Sequence, residues 1–324
     1  MRASITKFLD IFFLLRIPLL APVWTIVILG WITGNESARI YGGWLTGPEL
    51  KNHWLALGGF SLIVASIYVV NQIVDIESDR INHKLFLLPQ GLVSIPAAWT
   101  LSIVCAASGM AISLLYDYVI VALFAAGLII GVLYNLPPFT LKNRAMGGVL
   151  ANSFGHGMLT FLLGWYLSKY GSQVSSEVMR VGLISSISPA LANGAVFLAT
   201  TIPDASGDRL TGKKTFCVRY GEKVTAVSAA ILCFLALFFS FFMEYNFWVM
   251  AFPAAISLFF FILFAISTNK EIAFKAFKWP VFLLSATVAF FVPVYGLLIL
   301  ATFAGSRAYY KRRFGIDYPT FKSK

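Results

Sequence analysis

Long apolar stretches dominate this chain and restrict what it can fold into. Nine of them come close to or exceed the roughly 20 residues that a helix needs to cross the hydrocarbon core of a bilayer. Backbone groups in lipid must be hydrogen bonded within the segment, so each stretch is predicted to be helical. With 59% hydrophobic and 12% charged residues, the chain has the composition of a membrane protein. We therefore predict an all-α, polytopic membrane protein, a single domain (residues 1–324) built as a bundle of about nine transmembrane helices. The nine stretches are 8–34, 54–74, 95–116, 118–136, 147–168, 178–202, 224–243, 247–267 and 279–303.

The positive charges are distributed unevenly between the two ends of the predicted bundle. The net charge is +11, and most Lys and Arg residues lie in the N-terminal segment and in the loops that follow even-numbered stretches. Such a bias places the N-terminus and these loops in the cytoplasm, and it argues against a nucleic-acid partner as the reason for the charge. The basic tail, residues 304–324, disagrees, because nine crossings would put it on the outer side. An eighth or tenth crossing would remove this conflict. The outer loops contain only Arg39, Lys51, Lys169 and Arg180.

An acidic motif occurs twice, as NQIVDIESD at residues 71–79 and as DASGD at residues 204–208. The first copy places an amide and two carboxylates at intervals of four residues, which puts them on one face of a helix. The second copy repeats the spacing, although a neighbouring proline and glycine predict that its helix ends at or near the motif. Oxygen ligands of this kind suit Mg²⁺, which typically binds one or two carboxylates together with substrate phosphates. The candidate metal ligands are Asn71, Asp75, Asp79, Asp204 and Asp208.

The two motifs close the second and the sixth apolar stretch, so both are expected at the cytoplasmic ends of their helices. Their separation by four spans suggests an internal repeat of about 1–140 and 141–303, with a cavity between the halves. A solvated helix end would explain one such motif, but its recurrence at an equivalent position favours a site. Two Mg²⁺ ions held here around one diphosphate would neutralise the charge that develops as the diphosphate departs.

A loop with basic and aromatic residues, YNLPPFTLKNR at residues 134–144, lies between the two motifs. Its double proline ends the preceding helix and leaves Tyr134 at the helix end, where the ring or the hydroxyl could face a developing allylic cation. Lys142 and Arg144 would lie close to the phosphates, where cations favour both binding and departure. Without the acidic motifs, an interfacial tyrosine in an ordinary basic loop would explain these residues equally well. Together with Asp79, Tyr134 and Lys142 are the catalytic candidates.

Other polar residues are candidates for binding a diphosphate. Arg209, Lys213 and Lys214 follow the second motif, and the spacing does not tell which of them points inward. Arg16 falls inside the first predicted span, where a charge usually faces a cavity unless it extends to the interface. Asn193 also lies within a span, where a polar residue more often forms an interhelical hydrogen bond, and it is kept as a further diphosphate candidate.

Taken together, these residues resemble the intramembrane prenyltransferases of the UbiA superfamily. That family has an Asn/Asp motif after its second helix, a Tyr-x-x-Pro-Pro…Leu-Lys loop after its fourth and a second Asp motif after its sixth. The counterparts here are NQIVDIESD, YNLPPFTLK and DASGD, in the same order and over nearly the whole chain. The stretch IPDASGDRLTGKKTFCVRYG is most similar to the branch that acts on homogentisate, chlorophyllide or other ring acceptors.

The resemblance implies a bundle of nine spans around a central, lipid-open cavity. It also implies Mg²⁺-dependent transfer of a prenyl chain from a polyprenyl diphosphate to a hydrophobic, aromatic acceptor. Two Mg²⁺ ions are implied, and the basic and aromatic residues near the motifs would serve the diphosphate and the reactive carbon. The implied ligand sets are Asn71, Asp75 and Asp79 for one ion and Asp204 and Asp208 for the other.

The chain departs from the family pattern in two places. The family usually has an acidic residue straight after the motif Asn, where this chain has Gln72, so one potential ligand is missing. The family then continues with Asn-Lys-Pro-x-Arg-Pro, whose Arg helps to hold phosphate. This chain reads NHKLFLLPQG, with Phe86 aligned to that Arg, and Lys84 is the candidate to substitute for it. Both departures concern the prenyl donor more than the type of reaction.

Two other functions stay open. A membrane terpene cyclase on the same scaffold would ionise the same diphosphate, although the intact second motif and the ring-acceptor-like stretch favour transfer. A cation-coupled transporter also uses repeats and intramembrane carboxylates, but its site would lie near the midplane rather than at one face. We expect contact with membrane lipid, and neither nucleic acid nor an obligatory protein partner. No transit peptide is recognisable, so we expect a prokaryotic cytoplasmic membrane with the active site on the cytoplasmic side.

Overall fold

The structure is a computed structural model that describes residues 2–36, 38, 50–81, 87–171 and 175–319. Within these residues the regular secondary structure is helical and no strand is present, which confirms the all-α prediction. A 3₁₀-helix at Leu141–Asn143 and a π-helix at Ser153–Leu159 accompany the α-helices. The α-helices are α1 (Arg2–Leu14), α2 (Ile17–Gly34), α3 (Leu50–Val74), α4 (Ile76–Ile81), α5 (Ile95–Ser113), α6 (Tyr118–Asn135), α7 (Ala145–Asn152), α8 (Thr160–Ser168), α9 (Ser176–Ser185), α10 (Ile187–Leu210), α11 (Phe216–Ser240), α12 (Trp248–Ser267), α13 (Lys270–Phe291) and α14 (Pro293–Phe314).

The helices account for the membrane spans that the sequence predicts. In the described part of the chain, eight helical segments are long and apolar enough to cross a membrane, and one of them joins α9 to α10. The predicted stretch 147–168 is helical as well, but it consists of α7, the π-helix and α8 joined end to end. The chain is therefore an integral membrane protein. Its described residues form these eight segments and the helical stretch 147–168, in agreement with about nine predicted spans, and α14 follows them.

Two predicted spans are interrupted where the sequence prediction was continuous. The stretch 8–34 divides into α1 and α2 at Arg16, whose φ of 55° and ψ of 46° lie in the left-handed region. Arg16 is therefore at the N-terminal end of α2 and not inside a span, so this part of the prediction was wrong. The stretch 279–303 divides at Val292, because Pro293 has no backbone N–H and disfavours a helical conformation at the preceding residue.

Helix α2 is mostly buried and packs closely against α8. Two glycines permit this contact. A Cβ atom at Gly164 would lie 1.7 Å from the Val27 carbonyl oxygen, and one at Gly30 would lie 2.1 Å from the Phe161 carbonyl oxygen. Small residues let helix backbones approach each other in lipid, where van der Waals packing replaces the hydrophobic effect as the driving force. The packing holds the second half of α2 against α8.

Helix α14 runs back to the end of the bundle where α1 lies. Just before its start, Phe291 of α13 contacts Trp248, with 5.0 Å between the ring centroids. Near its end, Tyr309 donates a 2.6 Å hydrogen bond to Asp10 Oδ1, and Arg313 donates from Nε and Nη2 to the two carboxylate oxygens of Asp10, each at 3.1 Å. The basic C-terminal end of α14 therefore lies beside the N-terminal helix, which removes the conflict over the tail.

Candidate active site

A polar pocket of about 260 Å³ lies at the end of the bundle where α3, α6 and α10 end. All the residues of the two acidic motifs that were predicted as metal ligands line it, so the structure brings both motifs into one cavity. Three cationic side chains reach it as well, from the start of α2, from the 3₁₀-helix and from the segment after α10. The lining residues are Arg16, Asn71, Asp75, Ser78, Asp79, Tyr134, Lys142, Asn143, Phe197, Thr200, Thr201, Asp204, Asp208, Lys213 and Thr215.

The first motif keeps its helical spacing although α3 ends just before Asp75. The Asp75 N–H donates to the Asn71 carbonyl at 3.0 Å, and the Asp79 N–H donates to the Asp75 carbonyl at 2.8 Å. These hydrogen bonds join residues four positions apart, as in an α-helix, so the three side chains stay one turn apart and face the pocket. Helix α10 carries the second motif and ends at Leu210, close to the motif as expected.

Asp75 is the centre of a charge network. Its Oδ2 atom lies 2.8 Å from Lys142 Nζ and accepts a 3.0 Å hydrogen bond from Asn71 Nδ2. Its Oδ1 atom accepts a 2.8 Å hydrogen bond from Lys213 Nζ. Burial acts to raise the pKa of Asp75, but the two ammonium groups outweigh it and hold that pKa below its usual value. Burial lowers the pKa of Lys142, and the nearby Asp75 carboxylate opposes this effect.

Backbone pairing between two loops places Lys142 and Lys213 side by side. The Lys214 N–H donates to the Asn143 carbonyl at 3.2 Å, and Arg144 forms an isolated β-bridge with Lys214. Successive residues of paired extended segments point in opposite directions. Lys213 therefore faces the pocket, while its neighbour Lys214 is exposed. Lys142, in the 3₁₀-helix, also lines the pocket, whereas Arg144 is exposed and does not line it, contrary to the prediction of Arg144 and Lys214 as diphosphate ligands.

Two other predicted diphosphate ligands do not line the pocket. Arg209 is exposed at the end of α10. Asn193 lines a different cavity, because it precedes Asp204 by about three helical turns on α10. The structure thus does not bring Arg209 or Asn193 to the site, whereas Lys84 lies outside the described residues.

Arg16 supplies the third cation of the pocket. Its Nη2 atom lies 4.0 Å from Asp79 Oδ2, and its side chain is 16% exposed. Because α1 ends just before it and α2 begins just after it, the side chain enters the pocket from the junction of the two helices. The cations therefore come from three separate parts of the chain and converge on the carboxylates.

Two supporting residues were missed by the sequence analysis. Lys213 Nζ donates a 2.9 Å hydrogen bond to Ser78 Oγ, and Asn71 Nδ2 donates a 2.9 Å bond to Asn135 Oδ1. Ser78 lies inside the first motif, and Asn135 directly follows Tyr134. Their positions beside candidate site residues were the feature of the sequence that could have indicated them. Both orient side chains that line the pocket.

Several buried polar atoms of the pocket have no hydrogen-bond partner within the protein. Among the described residues five buried side-chain atoms are in this state, and four of them belong to residues that line the pocket. Lys142 Nζ is one of these, although it forms a 2.8 Å ion pair with Asp75 Oδ2. Buried polar groups normally have a partner, so these atoms indicate a pocket shaped for a polar ligand. The four atoms are Arg16 Nε, Lys142 Nζ, Asn143 Oδ1 and Thr215 Oγ1.

The donor chemistry of the pocket fits Mg²⁺ that is shared with a ligand. Across the described part of the chain, no group of three or more His, Cys, Asp and Glu side chains lies close enough to enclose a metal ion. Four carboxylates and an amide nevertheless face one cavity. Mg²⁺ commonly takes one or two carboxylates and completes its shell with water and substrate phosphates. The pocket therefore suits ions that arrive with, or are completed by, a phosphate-containing ligand.

A second cavity of about 70 Å³, mostly apolar, lies between α2, α10, α12 and α13. Residues of α10 line both cavities: Asn193 and Val196 face the apolar one, whereas Thr200 and Asp204 face the polar pocket. Intervals of three and four residues keep these side chains on one face of the helix. A molecule with a charged head and an apolar chain would match the two environments along α10.

The sequence of this chain is similar to those of known prenyltransferases. A digeranylgeranylglyceryl phosphate synthase from Sulfurisphaera tokodaii is 30% identical over 226 residues, which are 65% of this chain and 76% of that protein. A probable homogentisate phytyltransferase 2, chloroplastic, of Oryza sativa subsp. japonica is 27% identical over 186 residues, which are 55% of this chain and 49% of that protein. The chain thus spans about half the length of the plant relatives that it matches.

The fold is shared with solved structures. A UbiA homologue from Archaeoglobus fulgidus bound to DMAPP and Mg²⁺ has a TM-score of 0.70 at 16% sequence identity, over 89% of this chain and 99% of that chain. At this identity the likeness concerns the fold alone. The UbiA prenyltransferase family itself matches residues 40–286, a range that contains both acidic motifs, Tyr134 and Lys142. With the greater part of its length matched, this chain belongs to the UbiA prenyltransferase family.

Proposed function

We propose that this protein transfers a prenyl chain from a polyprenyl diphosphate to a hydrophobic acceptor in a Mg²⁺-dependent reaction that releases diphosphate. One observation carries the proposal: a single pocket contains the carboxylates of both acidic motifs together with Arg16, Lys142 and Lys213. A diphosphate offers negative charge to the cations and oxygen ligands to ions that the carboxylates bind. The apolar cavity further along α10 offers space for the start of a prenyl chain.

The cations of the pocket would stabilise the leaving group. Heterolysis of the bond between C1 and the diphosphate oxygen leaves the electron pair on the diphosphate and an allylic cation on the prenyl chain. Lys142, Lys213 and Arg16 line the pocket. They would bind the diphosphate oxygens and offset the negative charge that develops on them. When bound, Mg²⁺ would add further positive charge at the same oxygens. Tyr134 lines the pocket, and its ring is suited to lie against the allylic cation.

The two motifs are assigned to two Mg²⁺ ions, Asn71, Asp75 and Asp79 to one and Asp204 and Asp208 to the other. Support for this assignment comes from the position of all these side chains in one pocket and from their oxygen donors. A UbiA homologue of the same fold is described with Mg²⁺ and DMAPP, which agrees with ions shared between carboxylates and a diphosphate.

A ring compound is our first candidate for the acceptor. The names of two relatives specify a ring compound as the acceptor. They are the probable homogentisate phytyltransferase 2 of Oryza sativa and a 2-acylphloroglucinol 4-prenyltransferase of Humulus lupulus. In the proposed reaction a ring carbon of the acceptor forms a bond to C1 of the prenyl cation, and loss of the proton on that carbon restores the aromatic ring.

The reaction is assigned to the cytoplasmic side of the membrane. The pocket cations Lys142 and Lys213 lie in loops on the end of the bundle that is rich in Lys and Arg. Loops with this excess of positive charge face the cytoplasm in most membrane proteins. A polyprenyl diphosphate with its head group at that face would present its diphosphate directly to the pocket.

Release of diphosphate by purified protein tests the proposal. The protein in detergent is given geranylgeranyl diphosphate and Mg²⁺, with and without a membrane lipid extract, and shorter and longer donors are run in parallel. Release that needs the extract, together with a prenylated product identified by mass spectrometry, is the expected result. Asp204→Asn should abolish the release, whereas Glu177→Gln, at an exposed ion pair with Arg180, should not change it.

Other outcomes separate the competing functions. Release without extract, accompanied by a cyclised hydrocarbon or alcohol, would identify a terpene cyclase. Absence of release with every donor would refute the proposed reaction. Mg²⁺-dependent binding of a diphosphate analogue is expected for the enzyme and not for a cation-coupled transporter.

A further inference from the structure

The backbone at Arg16 has a conformation that needs support from its surroundings. Arg16 follows the last turn of α1 and precedes the first residue of α2, with φ of 55° and ψ of 46°. Residues other than glycine, asparagine and aspartate seldom adopt this left-handed conformation, because the Cβ atom then crowds the backbone. Such a conformation persists where neighbouring groups determine it. The left-handed conformation at Arg16 is therefore expected to be stabilised by contacts with neighbouring residues.

Two side chains of α3 bind the backbone on both sides of Arg16. Gln72 Nε2 donates a 2.8 Å hydrogen bond to the Leu14 carbonyl, at the end of α1. The Tyr68 hydroxyl donates a 3.2 Å hydrogen bond to the Leu19 carbonyl, in the first turn of α2. Gln72 and Tyr68 are one turn apart on α3 and therefore lie on the same face of it. Together, these two side chains of α3 bind the ends of both helices that meet at Arg16.

The side chain of Gln72 and helix α1 are themselves held by further contacts. Gln72 is only 3% exposed, and its Nε2 atom also donates to the Tyr68 carbonyl at 3.0 Å. On the other side, α1 is held by α14, where Asp10 accepts two hydrogen bonds from Arg313 and Phe13 stacks on Tyr309 with 3.9 Å between the ring centroids. The second half of α1 is therefore anchored before the chain turns at Arg16.

Helix α3 also leads into the first acidic motif, since it carries Asn71 and ends one residue before Asp75. The end of one helix thus adjoins both the acidic residues of the pocket and the backbone that carries the cation facing them. An ionised carboxylate at position 72 could not donate to the Leu14 carbonyl and would repel it. The amide at position 72 therefore has a role in placing the backbone, which differs from that of a metal ligand.

We propose that Gln72 and Tyr68 are positioning residues that set the guanidinium of Arg16 in the pocket for the diphosphate. The inference rests on the proposed function, in which Arg16 binds the diphosphate of the prenyl donor. Loss of either hydrogen bond would let the junction relax toward an ordinary helical or extended conformation. The Arg16 side chain would then leave the pocket while the acidic motif at the end of α3 stayed in place.

A double-mutant cycle with Arg16 tests the inference. The dissociation constant of inorganic diphosphate with Mg²⁺ is measured by calorimetry on the full chain in detergent, and KM for the prenyl diphosphate is measured beside it. Arg16→Ala should weaken diphosphate binding about ten- to hundredfold, since it removes hydrogen bonds to a charged group. Gln72→Met keeps the side-chain volume and should weaken binding about three- to tenfold, and Tyr68→Phe should act in the same direction.

The positioning role predicts that these effects depend on Arg16. In the Arg16→Ala background, Gln72→Met and Tyr68→Phe should produce no further loss of diphosphate affinity. Ser102→Ala is the matched control, because Ser102 donates a buried 3.1 Å hydrogen bond to the Ser66 carbonyl on α3, away from the junction. That variant should bind diphosphate as the wild type does. Tyr68→Phe keeps its ring and serves as the second variant if Gln72→Met does not fold.

The outcomes distinguish failure of the inference from failure of the proposed function. Equal losses from Gln72→Met in both backgrounds, or a similar loss from Ser102→Ala, would overturn the positioning role and leave the proposed function intact. An unchanged affinity in Arg16→Ala would overturn it as well, by removing Arg16 from the diphosphate site. A wild-type protein that does not bind diphosphate with Mg²⁺ would overturn both.

Discussion

Replacement of Asp75 by asparagine tests the charge network at the centre of the pocket. Asp75→Asn keeps the shape of the side chain and removes the charge that Lys142 and Lys213 share, each of them 2.8 Å from a carboxylate oxygen. The Lys142 side chain is 6% exposed and that of Lys213 is 17% exposed, so neither ammonium group becomes fully hydrated when the carboxylate is lost. We therefore expect this change to reduce stability in addition to activity.

The size of the effect follows from the burial of the pair. Loss of one partner of a buried ion pair costs about 3–5 kcal/mol, whereas an exposed pair contributes at most about 1 kcal/mol. Asp75 borders a polar pocket and is 12% exposed, so water solvates the lysines in part. We expect Asp75→Asn to lower the free energy of unfolding by about 2–3 kcal/mol. Adding Lys213→Met should restore about 1 kcal/mol, because Lys142 then has no second cation beside it.

Unfolding of the purified protein in mixed micelles, followed by tryptophan fluorescence as SDS is added, measures these free energies. The wild type, Asp75→Asn, Lys213→Met and the double variant form a cycle whose coupling energy should be at least about 1 kcal/mol. Glu177→Gln, which breaks an exposed pair with Arg180, should leave the transition where it is. An Asp75→Asn protein as stable as the wild type would refute the reasoning, since both lysines would then be hydrated without the carboxylate.

Further predictions concern catalysis, metal and packing. Lys142→Met should lower the rate of diphosphate release by about 10²–10³-fold, as loss of one preorganised donor to a developing anion does, and a rate within a factor of three of the wild type would exclude Lys142 from the site. Removal of divalent metal with EDTA should stop the release and Mg²⁺ should restore it, while Asp208→Asn should raise the Mg²⁺ concentration for half-maximal rate at least about tenfold. Gly164→Ala should destabilise the protein by about 3 kcal/mol in the same SDS titration, because its Cβ atom would meet the Val27 carbonyl oxygen at 1.7 Å. An unchanged midpoint would contradict the close packing of α2 and α8.

The sequence predicted the helical bundle because lipid allows few alternatives for an apolar stretch of this length. It also predicted which acidic residues lie together. The helical spacing of four residues continues past Asp75, because Asp75 donates a backbone hydrogen bond to Asn71 and Asp79 donates one to Asp75. The resemblance to the UbiA superfamily was confirmed by the family match. The internal repeat of about 1–140 and 141–303 stays a prediction.

Contacts between distant segments account for what the sequence did not predict. Lys213 and Lys214 are identical neighbours, and the backbone bond from Lys214 to Asn143 decides which of them faces the pocket. The turn at Arg16 depends on hydrogen bonds from another helix. The sequence around Arg16 is apolar on both sides, so it gives no sign that the helix is interrupted there. The break before Pro293 is of another kind, because the proline was visible in the sequence and marks the start of a helix more often than its interior.

That break also explains how the basic C-terminal end agrees with the positive-inside rule. The last turn of α14 carries Lys311, Arg312 and Arg313, which would oppose the charge bias of the loops if the chain ended after nine crossings. Because α13 ends before Pro293 and α14 runs back, these charges lie beside α1, at the end of the bundle that contains the pocket. Arg313 then pairs with Asp10, a buried carboxylate that would be costly without a cation. The remaining basic residues of this helix end add to the positive potential at the face where a diphosphate anion would enter.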